Sequence, residues 1–155
     1  MIHQYEIIRD DDLKPSLYSV KEIDRNNKKS YSEEDIVNLL NDIYKAKDYV
    51  AEHNFVIAFS ERNNVLGIYC MSVGDYQSCN VYNRELAMFL ALTGSVSFQI
   101  YHNHPNDVLC PSDEDRGVAA SLEYLGKILG INFRGSYIIG KSGWKSINDD
   151  YYVYN

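Results

Sequence analysis

The chain has few cysteines, no long apolar run and no excess of positive charge. Its three cysteines, Cys70, Cys79 and Cys110, are odd in number and form no C-x-x-C pair, which argues against a disulfide framework and a thiolate zinc knuckle. No apolar run approaches the roughly 20 residues of a membrane helix. Residues 1–6 show no basic region followed by an apolar one, so the sequence predicts no secretory signal. We therefore expect a cytoplasmic protein with free thiols and no membrane partner.

The balance of charge is acidic. The sequence has 15 Lys and Arg against 22 Asp and Glu, for a formal net charge of -7, and its pI is near 5.0. Non-specific affinity for nucleic acid comes from Lys and Arg side chains that displace counterions from phosphates. The small basic cluster at residues 26–29 is typical of a solvated loop. Nucleic acid is therefore an unexpected partner.

The size and composition are those of one globular unit. A chain of 155 residues with a hydrophobic fraction of 45% can bury a core without disulfides or a structural metal. We expect a single domain over residues 1–155, with a variable strand and loop over residues 1–31 and a core over about residues 32–147. The tyrosine-rich residues 151–154 are typical of an edge strand or a docked tail.

The first third of the chain predicts two strands and a helix. Alternation favours a strand over residues 2–9, followed by a long polar loop with a short strand at residues 17–23. Ser32 with Asp35 is typical of a helix cap. Apolar residues then recur at helical spacing and predict a first helix to about residue 51, with Val50 on its apolar face.

The remaining elements alternate between strands and helices. A hairpin is expected first, then a second helix capped by Asn83, a buried strand, a third helix capped by Ser112 and ended by Gly130, and two last strands. The expected ranges are 55–59, 65–71, 84–92, 96–101, 112–129, 133–139 and 144–147. This order predicts an α/β sandwich with a mixed β-sheet flanked by helices, and argues against a doubly wound parallel sheet.

The stretch YHNHPNDVLCPSDED, residues 101–115, follows the predicted buried strand. Residues two apart on a strand share a face, so His102 and His104 can present two imidazoles to one ion. Asp115, in the first turn of the third helix, can turn its carboxylate toward them. Two imidazoles and one carboxylate leave a fourth position for water, as in a catalytic zinc site. Another interpretation remains open, because Ser112 and Asp115 also fit a capping box that needs no metal.

The same segment resembles the JAMM metal motif, which reads H-x-H, seven residues, S, two residues, D. The residues of this segment are most similar to those of the bacterial RadC-type group of JAB/MPN domains. Gly74 and the pair Arg84-Glu85 also stand where that group has a glycine and a helix start. The resemblance covers roughly residues 50–147 and implies a JAB/MPN-like (cytidine-deaminase-like) sandwich. The segments that carry it are His102-Asn103-His104-Pro105, Pro111-Ser112, Asp115, Leu129-Gly130-Ile131 and Ile138-Ile139-Gly140.

The resemblance implies that His102, His104 and Asp115 ligate Zn²⁺. It also implies that a glutamate in the first strand of the domain takes the proton of the attacking water, and that Ser112 donates a hydrogen bond to the tetrahedral oxyanion. Glu52 is the favoured glutamate, although this chain has one residue more than the group usually has before the phenylalanine that follows.

That extra residue leaves three possibilities open for the general base. Either a bulge lets Glu52 reach the site, or His53 occupies the expected position and the base is displaced or missing. Glu85 is a third candidate, and its other interpretation is a first-turn acid that complements the helix dipole.

The activity that the resemblance implies is zinc-dependent cleavage of a peptide or isopeptide bond. Eukaryotic and archaeal relatives use this chemistry on ubiquitin-like modifiers, so a peptide or protein substrate is the expected partner. One alternative is a DNA-associated protein, since the RadC-type group carries a historical label of DNA repair. Another is a metal-binding interaction module with impaired catalysis. The sequence carries no signal for the substrate or the oligomeric state.

Two departures from the group lie beside the expected site. Asn106-Asp107 replaces the usual Ser-Gly and adds a carboxylate, and Gly135-Ser136 replaces a common Asp-His pair, which removes a partner for a ligand. Neither change removes a ligand. Cys110 is expected to be a solvent-facing or loop-packing thiol and not a fourth ligand, because a catalytic site keeps its fourth position open.

Overall fold

The computed structural model describes residues 1–24 and 30–147, so the predictions for residues 26–29 and 151–154 lie outside the described residues. Seven strands form one sheet in the order β2-β1-β4-β3-β5-β6-β7. Three α-helices and a short 3₁₀ turn, Ala46–Asp48, connect them. The strands are β1 (Ile2–Arg9), β2 (Pro15–Ile23), β3 (His53–Phe59), β4 (Val65–Val73), β5 (Ser97–Asn103), β6 (Asn132–Gly140) and β7 (Gly143–Ser146), and the helices are α1 (Glu33–Tyr44), α2 (Asn83–Thr93) and α3 (Asp113–Leu129).

The sheet is mixed, as predicted. The pairs β1–β4 and β5–β6 are parallel, while β1–β2, β3–β4, β3–β5 and β6–β7 are antiparallel. Every residue of β3 and β5 is buried, which is the pattern of strands covered on both faces. These two central strands carry the sequence that leads into the candidate site.

Helices cover both faces of the sheet and give it two cores. On one face, α1 packs Ile36 and Leu40 near Phe55 and Ile57 of β3. On the other face, α2 and α3 pack against the alternate residues of the central strands. The second core includes Val56, Leu86, Phe89, Phe98, Ile100 and Leu122. The α/β sandwich expected from the sequence is therefore confirmed.

Two helix boundaries differ from the prediction. The first helix ends at Tyr44 and not near residue 51, because Lys45 adopts a left-handed conformation with φ 60° and its N–H closes onto Asn41 O. Val50 lies beyond the helix and is 83% exposed. Asn83 does not cap the second helix: it is the first helical residue, and Tyr82 stands at the cap without a side-chain hydrogen bond.

The caps of the first and third helices follow the prediction and share one geometry. Ser32 accepts from the N–H of Asp35, and Ser112 accepts from the N–H of Asp115. In each case the aspartate carboxylate also accepts a hydrogen bond from the backbone N–H of the serine. Gly130 ends α3 with φ 68°. In the described part of the chain, no helix is long and apolar enough to cross a bilayer.

Two glycines of α3 provide a test of how closely this helix packs against the start of β6. A Cβ on Gly126 would lie 2.6 Å from Ile131 O, whereas a Cβ on Gly117 would meet nothing within 4 Å. Gly126→Ala should therefore lower the free energy of unfolding by about 1–3 kcal/mol through overpacking. Gly117→Ala should raise it by about 0.5–1 kcal/mol, since alanine is the better helix residue. Urea denaturation of both variants measures the difference, and equal stabilities would contradict the close helix–strand contact.

Candidate metal centre

The two histidines lie where β5 ends. His102 is in the strand and His104 follows it, and the N–H of His104 still donates to Ile139 O at 2.9 Å. This bond extends the pairing with β6 by one residue. The two side chains therefore share a face, and their Nε2 atoms are 3.0 Å apart.

Asp115 reaches both imidazoles from the first turn of α3. Its Oδ1 is 3.2 Å from His102 Nε2, and its Oδ2 is 3.5 Å from His104 Nε2. The capping box holds the carboxylate there, because the N–H of Ser112 donates to Asp115 Oδ2 at 2.7 Å. Potential ligand atoms of His102, His104 and Asp115 lie within 4.8 Å of one another. The structure thus brings the three predicted ligands together.

The ring of His104 is oriented as a metal ligand. Its Nδ1 lies 2.6 Å from Val108 O, and because a carbonyl can only accept, Nδ1 carries the hydrogen. In the neutral imidazole, Nε2 is then left with a free lone pair that points at His102 and Asp115. Histidines that bind metals generally donate their other N–H to a carbonyl or carboxylate in this way.

The spacing of the donor atoms suits a small tetrahedral ion. Ligands about 2.0–2.1 Å from a tetrahedral metal are separated from one another by roughly 3.3 Å. The two Nε2 atoms are 3.0 Å apart, Asp115 Oδ1 is 3.2 Å from His102 Nε2, and the other oxygen, Oδ2, is 3.5 Å from His104 Nε2. The three side chains therefore offer donor atoms at about the spacing that a tetrahedral ion requires.

These residues line a cleft of about 220 Å³, hereafter the cleft. Its described lining contains the carboxylates of Glu52, Glu114 and Asp115 and no lysine or arginine. Glu114 is exposed, but Glu52 is buried and Asp115 partly buried. A buried carboxylate is costly without a compensating charge, and a cation among the ligands would supply it. The other lining residues are Asn54, Tyr76, Gln77, Ser78, Cys79, Val81, Ile100, His102, His104, Asn106, Val108, Cys110, Ser112, Val118 and Ser136.

The titration of the cluster also favours positive charge between the imidazoles. Burial acts to raise the pKa of Asp115, but hydrogen bonds with His102 and His104 outweigh it and hold that pKa well below the usual range. Burial acts to lower the pKa of His104, but its hydrogen bonds with Asp115 and Val108 O outweigh it, so the pKa is raised. Both shifts are those expected when positive charge lies beside the Asp115 carboxylate.

Glu52 reaches the same cluster from the start of β3. Its Oε1 is 3.9 Å from His104 Nε2, and the residue is 7% exposed. Burial raises the pKa of Glu52, an effect that the nearby His102 and His104 partly offset. A carboxylate with a raised pKa beside the candidate ligands has the properties of a general base.

His53 and Glu85 are not at this position. The His53 ring stacks on Tyr49, with centroids 3.7 Å apart, and its Nδ1 lies 2.9 Å from Ala51 O. Glu85 lies in the first turn of α2 and does not line the cleft. The pairing of β3 with β4 contains two bulges, and the one nearer Glu52 has its extra residue, Met71, on β4 and not on β3.

The side-chain amide of Asn103 holds the backbone on both sides of Glu52. Its Oδ1 accepts from the N–H of His53 at 2.8 Å, and its Nδ2 donates to Ala51 O at 3.0 Å. Asn103 is 1% exposed. Sequence reasoning gave Asn103 no role, and the signal that could have suggested one is a polar residue at a buried position of a strand.

The two departures from the expected motif lie beside the cluster without contributing to it. Asp107 adopts φ 60° and its Oδ1 accepts from the N–H and Oγ of Ser142, so its carboxylate binds the turn between β6 and β7. Asp107 does not line the cleft, whereas the buried Ser136 does. Cys110 is an exposed thiol of the loop, outside the group of candidate ligands.

Fold and site together define an α/β protein with a His-His-Asp group, at the ends of its central strands, that could hold a metal ion. The sequence profile of the family described as "RadC-like JAB domain" matches residues 30–152. The chain belongs to this family.

Relatives with similar sequences are UPF0758 proteins. The chain is 36% identical to a UPF0758 protein of Clostridium novyi, in an alignment of 103 residues that covers 66% of this chain and 45% of that protein. It is 35% identical over 118 residues to one of Desulfitobacterium hafniense, which covers 76% of this chain and 51% of that protein. The chain spans about half the length of the curated relatives it matches.

The cluster predicts that the purified protein carries a divalent metal ion. Protein prepared without chelators should contain near-stoichiometric metal by elemental mass spectrometry, and the double variant His102→Ala, His104→Ala should contain almost none. Cys110→Ala should keep the metal, because this loop thiol lies outside the ligand group. A wild-type protein that takes up no metal even when it is supplied would contradict the assignment.

Proposed function

We propose that this protein is a zinc-dependent hydrolase of the JAMM type that cleaves a peptide or isopeptide bond. The proposal is carried by one observation: the buried Glu52 carboxylate lies 3.9 Å from His104, at the group that His104 forms with His102 and Asp115. The cleft thus combines a candidate base with a candidate metal site.

The donor set supports zinc as the ion. Two imidazoles and one carboxylate are typical of catalytic zinc sites, while magnesium and calcium favour sets made of oxygen ligands. A zinc ion held by His102, His104 and Asp115 would acidify a water molecule and polarise the carbonyl of the scissile bond.

Glu52 is the residue that we assign to proton transfer. Its Oε1 faces the ligand group, so the carboxylate can accept a proton from a water molecule in the cleft. Its raised pKa makes the carboxylate a stronger base than an exposed glutamate. The same group can then return the proton to the departing amine nitrogen, which completes the hydrolysis of an amide.

Ser112 can contribute a hydrogen bond while it caps α3. Its Oγ accepts from the N–H of Asp115 at 3.1 Å, and within the described residues its hydroxyl hydrogen has no acceptor. The equivalent hydroxyl of Ser32 donates to Asp35 Oδ2. The Ser112 hydroxyl lines the cleft and is therefore available to donate to the developing oxyanion.

The substrate that we propose is a peptide or protein chain, with ubiquitin-like modifiers among the possible partners, on the strength of the motif's resemblance to JAMM proteins. A cytoplasmic location is proposed with it. The three cysteines are free, and a reducing compartment keeps thiols in this state.

The role of Glu52 can be tested by removing its charge alone. Glu52→Gln should lower kcat on peptide or isopeptide substrates by at least about 10²-fold, the range of a lost general base. Its metal content should be unchanged, because Glu52 is not one of the three ligands. Glu85→Gln is the matched control and should keep its activity. A metal-loaded wild type that cleaves no such substrate would favour a metal-binding interaction module, and salt-sensitive DNA binding would favour the DNA-associated alternative.

The twin capping boxes separate the two roles of Ser112. Ser112→Ala and Ser32→Ala should each cost about 1 kcal/mol of unfolding free energy, the usual value for a lost cap. Only Ser112→Ala should also lower kcat, by about 10²-fold if the oxyanion bond is lost. Denaturation and steady-state kinetics on both variants measure this. Equal activity in the two variants would show that Ser112 caps α3 and does not contribute to catalysis.

A further inference from the structure

The segment of residues 74–79, hereafter the clamp segment, holds the backbone of Glu52 on both sides. The N–H of Glu52 donates to Asp75 O at 2.7 Å, and Glu52 O accepts from the N–H of Gly74 at 2.8 Å. Glu52 precedes the first residue of β3, so these bonds replace the regular strand pairing at this point.

The clamp segment is itself held in a tight turn. Asp75 Oδ1 accepts from the N–H groups of Gln77 and Ser78 at 2.8 and 2.9 Å, and the N–H of Asp75 donates to Ser78 O at 2.9 Å. A Cβ on Gly74 would lie 1.8 Å from Ser78 O, so only glycine fits there. The turn delivers Cys79 to the wall of the cleft.

Cys79 contacts the side chain of Glu52. The distance from Cys79 Sγ to Glu52 Oε2 is 3.7 Å, a length at which a thiol donates to a carboxylate. The other oxygen, Oε1, is the one that faces His104. The two oxygens therefore have different partners, the thiol on one side and the ligand group on the other.

The surroundings of Cys79 favour the donor role over the other roles of a cysteine. Burial raises the pKa of its thiol, and the neighbouring Glu52 carboxylate raises it further, so the sulfur stays protonated. A protonated thiol is a poor nucleophile and a poor metal ligand. Cys79 is also outside the group of His102, His104 and Asp115.

We propose that Cys79 is a positioning residue, whose thiol fixes Glu52 Oε2 and thereby keeps Oε1 turned toward the ligand group. This inference rests on the proposed function for its effect on catalysis. The contact itself is independent of any activity. The clamp segment sets the backbone of Glu52, and the thiol selects the orientation of its carboxylate.

The kinetic test compares two replacements of the thiol. Cys79→Ala should lower kcat by about tenfold to a hundredfold, because a small displacement of a catalytic group has effects of this size, with KM and metal content close to wild type. Cys79→Ser keeps a donor and should restore most of kcat. Cys110→Ala, which removes the other cleft thiol, should have no effect. A purely structural role would instead lower stability and metal content in both Cys79 variants, with no rescue by serine.

A second measurement needs no turnover. The rate at which iodoacetamide modifies Cys79 is measured by peptide mass spectrometry in wild type and in Glu52→Gln, with Cys110 as the internal standard of cleft access. If the carboxylate binds the thiol and opposes its ionisation, the variant should react at least several-fold faster at Cys79 and equally at Cys110.

The two measurements keep the proposals separable. If wild type hydrolyses no substrate, the proposed function fails, and the alkylation ratio still decides whether Cys79 contacts Glu52. Equal alkylation of Cys79 in both proteins would overturn the inference. So would a kcat of Cys79→Ala within about twofold of an active wild type, since a lost positioning contact should cost more than that.

Discussion

The candidate site depends on the antiparallel pairing of β3 with β5 and on the way Asn103 continues it. Asn54 of β3 pairs with His102 of β5, and the same register carried two residues further places Glu52 opposite His104. At this point the backbone ladder gives way to the amide of Asn103, which bonds to His53 and to Ala51 O. Without that amide, the buried N–H of His53 would lose its partner, which is costly, and Ala51 O would keep only its contact with His53 Nδ1. The distance between the candidate base and the candidate ligands is therefore a property of the sheet.

Burial gives the cluster its chemical character. Exposed carboxylates and imidazoles titrate near their ordinary values and interact weakly through water. Here the side chains of His102, His104 and Asp115 are nearly enclosed, and the described cleft lining offers no lysine or arginine to Glu52. The same burial that raises the pKa of Glu52 also strengthens its interaction with any positive charge placed between the imidazoles. The capacity of the ligand group to attract a cation and the raised pKa of the carboxylate beside it are thus consequences of one environment.

Short sequence patterns correctly predicted the positions of the two histidines and of Asp115, because these depend on residues close together in the chain. The histidines share a face because residues two apart on a strand do so, and Asp115 reaches them because it occupies the third position of a capped helix. The end of α1 was missed, since it is marked by Lys45 in a left-handed conformation, where the other two α-helices have a glycine at their carboxyl ends. The contacts of Asn103 with His53 and of Cys79 with Glu52 were missed because each partner lies far away in sequence. The place of Glu52 came from the resemblance, and only the packing of two strands could show how it reaches the cluster.

The capping boxes of α1 and α3 are nearly superposable in their backbone angles, with φ and ψ of -78° and 169° at Ser32 and -77° and 168° at Ser112. Only the second faces a strand end with two histidines. A capping box fixes the orientation of its aspartate carboxylate. Where two imidazoles face that carboxylate, it can therefore serve as a third ligand without further rearrangement. On such a scaffold, the residues at two positions around a strand end decide whether the cap aspartate has imidazole partners, while the stability that the cap contributes is retained.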